Sequence, residues 1–160
     1  MKQGMKSIEN LYRELMRQRE ARKDLIADTR SLSVSTEHGI STLSIFTDKD
    51  IYNFKVTDIA HRQIADRLGI PFKYYERMMN EYPQLLDENI NSWLKFKSEK
   101  RMLRTLDGKL RAFLSNRYRR LDNLELVDHI LPVIMQMKNC AIASCDITET
   151  HLYLKVINKS

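Results

Sequence analysis

Two apolar runs, Met102 to Leu106 and Leu110 to Leu114, flank the dipeptide Asp107-Gly108. A two-residue hairpin turn needs positive φ at both central positions, which Asp and Gly tolerate, so this stretch predicts two antiparallel strands in a fixed register. In that register Leu106 pairs with Lys109, Arg104 with Arg111 and Met102 with Phe113 on one face of the ribbon. The other face carries Leu103, Thr105, Leu110, Ala112 and Leu114, and being nearly all apolar it is the expected core face. Directly opposed Arg104 and Arg111 repel each other, so an anion is expected over them. Acids of the preceding helix, such as Asp87 or Glu88, would serve. So would a phosphate track beside which Phe113 stacks a base.

The rest of the chain predicts helices around further hairpins. A long first helix is expected from Ser7 to about Thr29, with Ile8, Leu11, Tyr12, Leu15, Leu25 and Ile26 near one face and compensating charges on the other. Ser31 to Val56 reads as two or three short antiparallel strands, marked by Leu32, Val34, Leu43 and Ile45 and broken at His38-Gly39 and Asp48-Lys49-Asp50. Thr57-Asp58 caps a helix that stops at Gly69, Pro71 starts another, and Pro83 begins a third with Leu85, Leu86, Ile90, Trp93 and Leu94 on its apolar side. Asp122 or Asn123 caps a helix to about Met137, and Ala141 to Ile147 with Leu152 to Ile157 form a second hairpin about Glu149-Thr150. The expected class is α+β: an antiparallel sheet built from hairpins, with helices packed on it. At 160 residues the expectation is a single domain, residues 1–30 forming its N-terminal helix and 31–160 its α+β core.

No apolar run approaches the roughly 20 residues of a membrane helix, and Met1 to Ser7 lacks a secretory signal, so a cytoplasmic protein is expected. Cys140 and Cys145, an odd number apart in a strand, fall on opposite faces and suit neither a mutual disulfide nor shared metal binding. The four histidines show no metal-ligand spacing, and no Gly-rich phosphate loop or nucleophile elbow occurs. No catalytic residue, cofactor or metal site is therefore assigned. Asp122, Asp128 and His129 as a nuclease centre is the minor reading.

Between Lys95 and Arg120 stand ten Lys or Arg and only Glu99 and Asp107, a net +8 within a chain of net +6. Such a concentration attracts polyanions, of which nucleic acid is the commonest. Arg101, Arg104, Lys109 and Arg111 with the loop Asn116, Arg117, Tyr118, Arg119 and Arg120 are the candidate nucleic-acid contacts, Phe113 and Tyr118 as stacking rings. His61 to Met79 also matches the apolar pattern of a helix-turn-helix. Its would-be reading face, Lys73, Glu76 and Arg77, is sparse and mixed in charge, which favours a structural helical hairpin.

Several strings in order resemble a phage- and plasmid-borne family of bacterial proteins that forms a domain of unknown function. They are Phe54-Lys55-Val56-Thr57, Ala60-His61-Arg62-Gln63, Leu68-Gly69-Ile70-Pro71, Tyr74-Tyr75-Glu76-Arg77-Met78, Arg104-Thr105-Leu106-Asp107-Gly108, and Arg111-Ala112-Phe113-Leu114-Ser115 through Arg117-Tyr118 to Leu121-Asp122-Asn123. The resemblance covers roughly Leu43 to Lys155 and implies a mobile-element origin and the N-terminal portion of a typically longer protein. Together these features lead to the expectation of a nonenzymatic single-stranded nucleic-acid binder or annealing protein, in which a first helix could also mediate homo-oligomerisation. The alternative is a protein-interaction module that binds an acidic or nucleic-acid-handling host protein.

Overall fold

The charge periodicity of the N-terminal region outruns its helix. In the computed structural model, which describes residues 8–117, 123–136, 140–147 and 152–158, α1 spans Ile8–Ala21 and is followed at once by a strand, β1 (Lys23–Asp28). The expected continuation to Thr29 is therefore corrected. Leu25 packs against the core while its neighbour Ile26 is exposed, the alternation of a strand rather than the shared face of a helix.

A short 3-10 turn, Thr29–Ser31, leads to β2 (Leu32–Glu37), β3 (Ile40–Phe46) and β4 (Ile51–Val56), then α2 (Asp58–Leu68), α3 (Phe72–Glu81) and α4 (Pro83–Phe96), and the hairpin β5 (Lys100–Leu106) and β6 (Lys109–Ser115). After these come α5 (Asn123–Gln136), β7 (Cys140–Ile147) and β8 (Leu152–Asn158). The chain divides into two compact units, Arg22–Tyr118 and the pair of segments Met1–Ala21 and Arg119–Ser160. The fold class is α+β.

In the larger unit six strands form one sheet in the order β1-β5-β6-β4-β3-β2. Every pairing is antiparallel except β4 with β6, which run parallel at Lys55 beside Lys109 and Val56 beside Leu110. The expectation of a purely antiparallel sheet is corrected at that seam, because α2, α3 and α4 carry the chain across before β5 and β6 return. The two short hairpin turns have the same basis. His38 and Gly39 at φ 51° and 76°, and Asp107 and Gly108 at φ 52° and 74°, supply the paired left-handed residues that a two-residue loop requires.

Helices cover one face of this sheet. Leu32, Val34, Leu43, Ile45, Val56, Leu103, Leu110 and Phe113 meet Ala60, Ile64, Ala65, Tyr75, Met78, Leu86, Ile90 and Leu94 in a single core. Thr57 Oγ1 accepts from the Ala60 N–H and Gly69, at φ 71°, closes α2, so both ends of that helix stand where its sequence places them. Helix α4 also protects the sheet's edge. Asn91 Oδ1 accepts from the Val34 N–H (2.7 Å) and its Nδ2 donates to the Val34 carbonyl (2.9 Å), while Asp87 accepts from the Thr36 N–H (2.7 Å). Two side chains one helical turn apart thus occupy the outward backbone groups of edge strand β2.

In the smaller unit Leu11 and Leu15 of α1 pack with Val127 and Leu131 of α5, and the Tyr12 hydroxyl donates to Asp128 Oδ1 at 2.8 Å. β7 and β8 pair antiparallel with a register shift between Ile142 and Ser144. Cys140 stands opposite Asn158 and Cys145 opposite Leu154 in that register. Among the described residues no helix is long and apolar enough to cross a membrane.

Candidate nucleic-acid interface

One extra residue in β6 rearranges the hairpin's faces. Thr105 pairs with Leu110, but Arg104 then pairs with Ala112, Leu103 with Phe113 and Met102 with Leu114, leaving Arg111 as the bulged residue. The expected opposition of Arg104 and Arg111 does not occur. Phe113 turns to the helix-covered face, fully buried, so its assignment as a stacking ring is corrected to a core residue. Its freed backbone N–H donates to Gln63 Oε1 of α2 at 2.7 Å, which anchors the bulge.

Two further candidates stand in ion pairs. The Arg104 Nε lies 3.5 Å from Asp24 Oδ1 of β1, so the acid beside Arg104 comes from the strand that the sequence disguised as helix, not from Asp87 or Glu88. Arg101 is paired with Glu99 and its side chain is only 13% exposed, which ties it to the sheet. Glu99 also holds Lys97 at 3.5 Å. Arg111 is half-buried, and Asn116 and Arg117 are exposed at the far end of the ribbon, where the Arg117 N–H donates to Ser115 Oγ. Tyr118, Arg119 and Arg120, with Asp122, lie outside the described residues.

Lys109 is exposed beside the turn, and the parallel seam gives it a neighbour that the sequence does not reveal. The Lys55 N–H donates to the Gly108 carbonyl at 3.1 Å and places Lys55 directly beside Lys109. Both side chains are exposed, and neither has a carboxylate partner among the described residues. Lys55 lies between Phe54 and Val56, and Lys109 precedes Leu110, all core residues, so both lysines project from the face the helices leave open. Register extends the row: Thr42 faces Lys55 and Ser35 faces Thr42, giving two hydroxyls and two ammoniums side by side across β2, β3, β4 and β6.

Two positions along the strands on this face, the Ser44 hydroxyl donates to Asn53 Oδ1 at 2.7 Å, with Ser33 opposite Ser44. Beyond them stand Phe46 and Ile51, register partners 48% and 58% exposed. A flat face with adjacent cations, hydroxyls, an amide and an exposed aromatic ring has the chemistry to hold phosphates and stack a base. Sequence reasoning missed Lys55 and Phe46. The alternation of β3 and β4 could have identified their face, but only the parallel pairing brings Lys55 to Lys109.

The helix-turn-helix span packs into the core. His61 Nδ1 and the Tyr75 hydroxyl lie 2.5 Å apart in the core, and burial holds the imidazole pKa down to about 4 and raises that of the phenol. The Arg62 guanidinium covers the Phe72 ring at 4.3 Å, and Arg77 is paired with Glu81. On α5, Asp128 accepts from Tyr12, and His129 Nδ1 sits 2.7 Å from the Glu125 carbonyl. Among the described residues no group of three His, Cys, Asp or Glu side chains could hold a metal ion. No protein-family model matches the chain, and no curated protein matches it.

Proposed function

We propose that this chain is a nonenzymatic nucleic-acid-binding protein of phage or plasmid origin that holds single-stranded DNA on the open face of its larger sheet. The abutment of Lys55 and Lys109 carries the reading. Two exposed like charges in adjacent register positions are unfavourable alone and favourable under a shared anion. Thr42 and Ser35 continue the phosphate row, Phe46 offers a ring to an unpaired base, and Asn116 and Arg117 extend the track at the other end of the hairpin. β6 runs from Lys109 to Ser115, about 20 Å at ordinary strand rise, so the track would span several nucleotides.

The test is fluorescence anisotropy with a labelled single-stranded oligonucleotide, run across salt concentrations and against duplex competitor. With three phosphates neutralised by Lys55, Lys109 and Arg117, the slope of log K on log salt is about −2. Absence of binding at low salt overturns the proposal. The exposed Ile40 and Ile51 on the same face favour a second reading, a module that docks an acidic or nucleic-acid-handling host protein. Oligonucleotide that fails to displace such a partner would identify a separate protein-binding surface.

A further inference from the structure

Helix α4 buries Leu86, Ile90 and Leu94 and leaves two large rings exposed toward its C-terminal end. Trp93 is 47% exposed and Phe96 78%, with ring centroids 5.7 Å apart in an edge-to-face pair. The helical pattern had assigned Trp93 to the core side, so its exposure is a correction. Trp93 stands seven residues after Leu86 and three after Ile90, so it lies at the margin of the apolar side, and about half of its surface remains in solvent. These rings open the basic segment. Lys95 lies between them in sequence and is exposed, Lys97 follows, and Glu99 is shared between Lys97 and Arg101.

We infer that Trp93 and Phe96 form a second base-stacking subsite for single-stranded nucleic acid, on the helix-covered side of the sheet, with Lys95 and Lys97 taking its phosphates. The inference rests on the nucleic-acid reading and adds a location to it. Exposed aromatic faces accept any unpaired base, and cations on the same helical end fit a polyanion better than they fit an apolar protein surface. A duplex, whose base faces are already stacked, has nothing to offer these rings. The phosphates are what Lys95 and Lys97 can hold whatever the base sequence.

Trp93 is the chain's single tryptophan, so its emission reports this subsite alone. The experiment titrates the full chain with an oligothymidylate and with an abasic oligomer of equal length, reading Trp93 emission and the anisotropy of a label on the strand. Expected are saturable quenching by oligothymidylate at the concentrations that raise anisotropy, and binding of the abasic oligomer without quenching. Phe96→Ala, an exposed position that leaves the core untouched, should weaken oligothymidylate binding about tenfold, within the range for loss of one stacked base. Binding without quenching, together with wild-type affinity in Phe96→Ala, overturns the subsite and leaves the open-face reading standing. No anisotropy change with either oligomer overturns both. A change in sedimentation of the protein alone on Phe96→Ala would assign the rings to an interface between copies and overturn the inference.

Discussion

His61 and Tyr75 show how a single buried pair couples the fold to pH. Folded His61 resists protonation down to about pH 4, chiefly because burial disfavours the charge, although Asp58 acts the other way; the unfolded chain takes up that proton near 6.5. The unfolded state therefore binds more protons between those values. Stability is complete above about pH 6.5 and falls as pH drops toward 4, by about 3 kcal/mol in all. Urea midpoints at pH 7 and pH 4.5 should fall further for the wild type than for His61→Asn; equal losses would contradict the account. Phe113 makes a separate prediction. As a fully buried ring it should cost about 3–5 kcal/mol on truncation to Ala, measured by urea unfolding, whereas an exposed stacking ring would cost under about 1 kcal/mol. Its burial was not legible in the sequence. Alternation assigns faces only while the register is unbroken, and the bulge at Arg111 reverses every assignment beyond it.

At the scale of elements, what could be read locally was read. Thr57 and Gly69 bracket α2, Pro83 opens α4, and Asp107-Gly108 makes the hairpin turn, each through backbone chemistry carried by one or two residues. What depended on distant partners was not. β1 takes its strand conformation from pairing with β5, where Leu25 meets Leu103 and Asp24 meets Arg104, while its own charges suit a helix equally well. The parallel seam between β4 and β6 has no local signature at all. The grip of α4 on β2 is likewise tertiary and gives a prediction of its own. Asn91→Leu leaves the Val34 N–H and carbonyl without their side-chain partner, and should cost about 1–3 kcal/mol in urea unfolding and increase light scattering as the edge pairs between molecules. Wild-type stability and no added scattering would show that Asn91 does not guard the edge.

For the whole molecule, the sequence located an excess of positive charge but not the surface that carries it. Of the +8 segment, Arg101 is paired with Glu99 and Arg104 with Asp24 of β1, while Lys109 acquires its neighbour Lys55 from another strand. The candidate interface is thus centred on a seam that forms only when the larger unit has folded, and one of its cations, Lys55, lies outside the basic run that drew attention to it. Removing the charge there should not disturb the fold, since both side chains project into solvent from the face opposite the core. The most direct measurement is single-strand binding by anisotropy at low and physiological salt for the wild type and for the double variant Lys55→Glu and Lys109→Glu, with circular dichroism and urea unfolding as controls on folding. The account predicts salt-sensitive binding by the wild type and its loss in a variant that remains folded. Equal affinity in wild type and variant would contradict it.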